Sequence, residues 1–283
     1  MLVRIIIVLV VAAAVFGSAG FFYYELFIRP DIELQEELAR QPAEPTPTPD
    51  VSLPAYEALQ QLDRANDLIA TRNAYLNFVE RYPSSSKIQE AKEALGEMNA
   101  DIVLTTFPDE SKTNYTVVSG DSMIRIANKT GTNAELIYRA NNMSSINLDI
   151  GRELLIPTMD PAIVIDGEAL TLTLYNGGEF FKEYPILSYG LPGGKLPAPG
   201  QTTVKDKLAL SDGKRVAFAS SGFADSDRWL MLGIPGLIIR GTPPPQDPAA
   251  ESPPPMPPGI ILAPGDAEEL FVLVSQGTPV TIK

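Results

Sequence analysis

The sequence predicts a multidomain α+β protein: an N-terminal transmembrane helix, a helical hairpin, a βααβ module and a C-terminal, mainly-β sandwich domain. Three observations lead there. Residues 5–24 are 20 consecutive uncharged positions, the length needed to cross a bilayer as a helix. Over residues 55–98 apolar side chains recur at spacings of three and four, the helical period. From residue 162 onward that period gives way to short β-rich runs separated by turn residues.

Composition sets the outer limits. The chain of 283 residues has 45% hydrophobic and 20% charged residues, ordinary values for a protein that buries a core. A net charge of −13 repels phosphate backbones and excludes nucleic acid as a partner. Cys and His are both absent. Disulfides, thiolate nucleophiles, zinc thiolate sites and Ser-His or Cys-His activation are therefore excluded, and no metal or cofactor site is expected. Any catalysis has to run on carboxylates, Lys, Tyr or a bound metal with oxygen ligands.

Residues 1–30 read as the anchor. Arg4 precedes the apolar run, Phe21, Phe22, Tyr23 and Tyr24 close it like an interfacial belt, and Glu25, Asp31, Glu33, Glu36 and Glu37 follow. That bias puts the N-terminus inside and the rest of the chain outside. Gly17-Ser18-Ala19 offers the competing reading, a cleaved signal peptide, but the apolar run continues past it. Residues 31–54 hold Pro42, Pro45, Pro47, Pro49 and Pro54 and predict an extended spacer. Residues 55–100 predict a helical hairpin: Leu59, Leu62 and Ile69, then Tyr75, Phe78, Val79 and Tyr82, a break at Pro83, and a second helix over 87–98 with Ser86 and Gln89 at capping-box spacing. Residues 75–95 resemble one tetratricopeptide hairpin without a second copy. A single repeat cannot bury its own face, so it packs on a neighbouring domain or self-associates.

Over residues 113–158 the pattern is strand, helix, helix, strand. A β-rich run at 115–118 ends at Ser119-Gly120. Asp121 or Ser122 caps a helix with Met123, Ile126 and Ala127 on one face, and Gly131 closes it. Asn133 caps the next helix, with Ile137 and Ala140 inward, and residues 153–156 form the return strand. Gly120-Asp121-Ser122, Gly131-Thr132, Asn141-Asn142, Ile150-Gly151 and Leu155-Ile156-Pro157 stand in the order and spacing of LysM domains, which the segment resembles over its whole length. The resemblance implies binding of N-acetylglucosamine polymers, mainly peptidoglycan glycan strands. The implied groove lies between Gly120, Asp121, Ser122 and Met123 on one side and Leu148, Asp149 and Ile150 on the other. Capping and turn geometry account equally well for Gly120, Asp121 and Ser122.

Residues 161–283 predict strands at 163–165, 170–175, 180–184, 216–218, 237–239 and 280–282, a hairpin at Asn176-Gly177-Gly178, and one helix opened by the pair Asp266 and Glu269. Tyr184-Pro185-Ile186, Gly190-Leu191-Pro192-Gly193, Trp229-Leu230-Met231, the run 236–242 and the closing Gly277-Thr278-Pro279-Val280 resemble the YkuD-type L,D-transpeptidase domain. Active members of that family carry His-Gly-Thr and Ser-His-Gly-Cys-Ile-Arg motifs. Here Arg240 stands before Gly241-Thr242, and Pro257, Pro258, Gly259, Ile260, Ile261 and Leu262 occupy the second motif. Nine prolines between Pro243 and Pro258 predict an extended loop beside it.

These readings point to a pseudoenzyme: a single-pass protein of the bacterial inner membrane whose ectodomain, in the periplasm or otherwise outside the cytoplasm, binds peptidoglycan. A stem peptide or envelope proteins are further partners, with Arg240 either holding a stem-peptide carboxylate or pairing with a neighbouring acid. The alternative is a cell-wall enzyme with carboxylate chemistry on Asp225, Asp227, Asp247 or Glu251 near Arg240.

Overall fold

A computed structural model describes residues 6, 17–18, 20–21, 23–30, 50–191, 194, 196–242 and 258–283. The chain divides into two compact units, 1–50 and 51–283. In the first, Tyr24–Ile28 forms a π-helical turn with Glu25 paired to Arg29 at 2.8 Å. No helix among the described residues is long and apolar enough to cross a membrane. The anchor expected over 1–30 lies mostly outside the described residues, and residues 31–49 of the expected spacer lie wholly outside them.

The second unit opens with three helices where the pattern predicted two: α1 Leu53–Gln60, α2 Leu68–Arg81 and α3 Ile88–Leu104. Asp67 caps α2 by accepting from the Ala70 amide at 2.9 Å. The capping box expected at Ser86 does not form. Lys87 is the N-cap residue, and the Ser85 hydroxyl accepts its amide at 3.0 Å. Tyr56, Phe78, Val79 and Leu95 make the apolar interior of the three helices, and Phe180 from the C-terminal domain completes it. The side-chain amide of Asn99 donates to the Phe181 carbonyl at 2.7 Å and Lys92 pairs with Glu183 at 2.8 Å. Gly96 permits this approach, since a Cβ there would lie 2.7 Å from Cγ of Lys182.

The small module follows as β1 Lys112–Thr116, α4 Met123–Thr130, α5 Ala134–Ala140 and β2 Glu153–Pro157, with β1 antiparallel to β2. Its own core contains Met123, Ile126, Ile137, Leu154 and Ile156. Ser122 accepts from the Arg125 amide, Asn133 accepts from the Leu136 amide, and Gly131 takes φ +71°, so both helices start and stop on local signals.

The C-terminal domain comprises β3 Pro161–Asp166, β4 Thr171–Asn176, β5 Glu179–Pro185, β6 Ser188–Tyr189, β7 Gly200–Ser211, β8 Lys214–Arg215, β9 Asp227–Leu232, β10 Ile238–Gly241, β11 Ile260–Leu262, helix α6 Pro264–Leu273 and β12 Pro279–Ile282. Instead of a two-sheet sandwich these strands form one sheet in the order β5-β4-β3-β12-β7-β9-β10-β11-β6, with β8 beside β7. The long strand β7 makes this continuity. Its first residues pair with β12 and the rest with β9. The two ends of the order, β5 and β6, are consecutive in the chain, so Pro185 of β5, paired with β4, and Ser188 of β6, paired with β11, are three residues apart. Three residues span at most about 10 Å, which requires the sheet to curl until its edges nearly meet.

Inside the curl lie Ile163, Ile165, Leu172, Tyr184, Leu230, Ile260, Leu262, Leu270 and Val280. Val103 of α3 and Leu136 of α5 belong to the same buried cluster. Residues 216–218, expected as a strand, leave the sheet after the two residues of β8. The Asp266 and Glu269 pair does not cap α6: Ala263 is the N-cap, Pro264 supplies the first turn, and Glu269 accepts from the Tyr184 hydroxyl at 2.9 Å and pairs with Lys182 at 2.8 Å.

Candidate functional site

The two loops singled out in the small module are joined by backbone hydrogen bonds. The Gly151 amide donates to the Val117 carbonyl at 2.8 Å, and the Val117 amide donates to the Arg152 carbonyl at 2.9 Å. Gly120 and Gly151 take φ +84° and +86°, turning each loop sharply in a region that side chains with a Cβ disfavour. The result sets the loop after β1 against the loop before β2. Val118 and Ile150, on those loops, are 51% and 72% exposed. Ile124, one position into α4, is exposed too. Gly120 and Asp149 are also exposed, Leu148 is half-buried against the module core, and Ser122 carries the helix cap.

Two of the expected lining residues face elsewhere. Met123 is buried in the module core, because it is the first residue of the inward face of α4. The Asp121 side chain is only 3% exposed. It accepts from the Val118 amide at 3.0 Å, the Tyr115 hydroxyl at 2.8 Å and Lys129 at 3.0 Å. The bond from the Val118 amide, then Lys129 and Tyr115, lower its pKa to about 2. Asp121 thus ties the loop to β1 and α4. Val118 and Ile124 carry exposed apolar surface that the sequence pattern did not single out, because an apolar residue in a β-rich or helical run reads as core until its direction is known.

In the C-terminal domain the positions of the second motif form strand β11. Ile260 pairs in parallel register with Ile239 of β10 and antiparallel with Tyr189 of β6. Ile260 and Leu262 are fully buried. Gly259 is pressed on β10 so closely that a Cβ would stand 2.6 Å from the Ile238 carbonyl oxygen, while Pro258 is exposed. Arg240, in the middle of β10 between Trp229 and Ile261, is buried and donates to the Gly241 carbonyl at 3.1 Å. Burial lowers its pKa, and the Asp227 carboxylate acts in the opposite direction.

Beside it, Asp227, Trp229, Gly241, Thr242 and Pro264 border a cavity of about 350 Å³, with Asp225 at its rim. Asp225 and Asp227 are exposed, and Asp247 and Glu251 lie outside the described residues. Nucleophilic attack on an amide needs an ionisable nucleophile beside a base. Ile260 and Arg240 supply neither, and the chain holds no Cys or His to replace them. Among the described residues no group of three His, Cys, Asp or Glu side chains could hold a metal ion.

Residues 115–157 match the family model described as LysM domain. No curated protein matches the chain. Among solved structures the chain is similar to an L,D-transpeptidase from Mycobacterium smegmatis, at 18% identity and TM-score 0.30, over 48% of this chain and 64% of that one. It is similar also to L,D-transpeptidase 1 from Mycobacterium tuberculosis, at 19% identity and TM-score 0.29, over 47% of this chain and 66% of that one. With the catalytic domain of the E. faecium L,D-transpeptidase it shares 22% identity at TM-score 0.29, over 44% of this chain and 98% of that one. The chain spans less than two thirds of the length of the first of these structures.

Proposed function

We propose that the chain is a membrane-anchored envelope protein that holds peptidoglycan without processing it. Its LysM segment grips N-acetylglucosamine-containing glycan strands, and its C-terminal domain, of L,D-transpeptidase type by its motifs, no longer carries the reaction. The observation that carries the glycan reading is the pair Val118 and Ile150, both exposed on two hydrogen-bonded loops within the segment that matches LysM. Such an arrangement offers apolar contact for acetamido methyl groups beside backbone donors and acceptors for hydroxyls, the mix a shallow sugar site needs. The inactivity reading is supported by the lack of Cys and His and by Ile260, which fills the nucleophile position with a fully buried aliphatic side chain. The anchor reading rests on the uncharged run 5–24 with Arg4 before it and acids behind it.

Co-sedimentation of the full chain with purified sacculi tests the central claim. Ile150→Asp puts a charge where an apolar contact is required. Burial of an Ile side chain contributes about 1.5–3 kcal/mol, so retention should fall by roughly tenfold or more. Leu62→Asp, exposed on the connection after α1, should retain normally. Equal retention of both variants would refute the glycan reading. Incubation with disaccharide tetrapeptide should yield no cross-linked dimer and no released D-amino acid. Turnover abolished by Asp227→Asn would establish the carboxylate chemistry instead. For topology, Val51→Cys, at a position 79% exposed, should react in intact cells with a membrane-impermeant maleimide.

A further inference from the structure

A cavity of about 700 Å³ lies between the module and the C-terminal domain, apart from the loops of the module that carry Val118 and Ile150. Helix α5 forms one wall, the segment 218–224 the other, and Ser144, Ser145 and Ile146 border it from the loop that leads to Ile150. Its volume falls within the roughly 300–1,000 Å³ of small-molecule sites, and module interfaces are where such sites concentrate. It meets the smaller cavity beside Arg240, because Ala224, Arg228 and Glu268 line both.

The lining chemistry selects a ligand class. Tyr138 and Phe218 are half-buried rings 5.7 Å apart, edge to face, and Phe223 continues the series at 5.3 Å from Phe218. Their charged neighbours cancel. Arg139 pairs with Glu135 at 3.1 Å and also with Glu268, and Arg228 stands 3.7 Å from Glu135. A cavity with two cations already matched by two carboxylates, in a chain of charge −13, gives no net attraction to an acidic peptide. It suits a neutral ligand with hydroxyl and amide groups for the fixed charges and serines, and with C–H faces for the rings, whose π-faces are negative. The Arg228 side chain is 4% exposed and its guanidinium carbon lies 4.0 Å from the Phe223 ring centroid, which fixes that ring behind the cavity wall. Ala219, in the same wall, holds φ +62°, a strained conformation of the kind found at ligand-binding segments.

We infer that this cavity is a second saccharide subsite, taking a neutral N-acetylated hexosamine unit against Tyr138 and Phe218. The assignment deepens the glycan reading and rests on it for the identity of the sugar. With a strand held at Ile150 and a unit held at Phe218, the C-terminal domain contributes to binding through its 218–224 wall.

Equilibrium dialysis of the full chain against di-N-acetylchitobiose counts the sites. Two per chain are expected, falling to one in Ile150→Asp and to one in Ala224→Trp, which fills the cavity from an exposed position outside the module. Phe218→Ala should also leave one site, and Phe218→Tyr should restore two. Thermal melts identify any variant that fails to fold, and Ala224→Trp then stands in for Phe218→Ala. A single site that Ile150→Asp abolishes and Ala224→Trp leaves intact overturns the cavity subsite while sparing the groove. A single site with the opposite sensitivity upholds the cavity and overturns the groove. No binding in the parent protein overturns both. Displacement of the cavity-bound sugar by a free acidic stem peptide, at equal concentration, would overturn the saccharide assignment.

Discussion

In the small module, Val118 and Ile150 stand exposed on loops that turn at Gly120 and Gly151, and the core of the module contains Met123, Ile126 and Ile137. In the C-terminal domain the positions aligned with a catalytic motif, Ile260 and Leu262, are themselves core. The contrast is between a surface kept open at the cost of exposed apolar side chains and a surface given over to packing. Exposed aliphatic groups add little to stability, and two on adjoining loops form a small apolar surface. Buried aliphatic groups on a central strand explain themselves, since each contributes about 1.5–3 kcal/mol. Ile260 and Leu262 thus add to the packing of the curled sheet, whereas the module leaves Val118 and Ile150 exposed.

The contrast would be weakened if the two regions were independent bodies, and Leu136 tests this with the largest expected effect. It belongs to the module by sequence and to the core of the C-terminal domain by packing. Leu136→Ala should cost about 2–5 kcal/mol. Urea unfolding followed by the fluorescence of Trp229, the sole tryptophan, which lies in β9, should shift together with the helical signal. An unmoved Trp229 transition would separate the two regions.

A thiol at the filled position sharpens the other side of the comparison. Ile260→Cys should destabilise by about 1–2 kcal/mol through lost volume, and its thiol, the sole one in the chain, should be almost inert to Ellman's reagent until the protein unfolds. Rapid native labelling would mean that β11 opens and that the position is still a site.

The smallest effect is expected at Asp121. Its folded pKa of about 2 lies below the unfolded carboxylate value, so its contribution is present above about pH 4 and fades as pH falls toward 2. Asp121→Asn should be less stable than the parent protein near neutrality, and the two should converge between about pH 4 and 2 in urea titrations. A gap that stays constant with pH would assign the loss to geometry alone.

Local signals were legible. The caps at Ser122 and Asn133 and the stop at Gly131 act within three or four residues, so the two helices of the module could be placed from the sequence, and the hairpin at Gly177-Gly178 for the same reason. Three features were not. Strand β7 passes from one neighbour to another partway along, so its twelve residues never show a single alternation. Residues 216–218 have strand composition, yet Phe218 is used against Tyr138. Ser86 and Glu269 stand at capping spacing, yet neither caps a helix. Lys87 is the N-cap of α3, and the Tyr184 hydroxyl and Lys182 of β5 engage Glu269.

The sequence by itself determined the order of modules, the absence of thiol and imidazole chemistry, and the loops that carry the candidate groove, because composition and short-range hydrogen bonding suffice for these. Tertiary structure alone decided which groups those loops present. Asp121 is drawn inward because Lys129 and Tyr115 converge on it, Val118 and Ile150 remain outside, and helix α5 closes a cavity against a segment about 80 residues further along the chain. The curl of the sheet in the C-terminal domain is of the same kind, since it joins strands far apart in the chain and no local pattern of residues encodes that curvature.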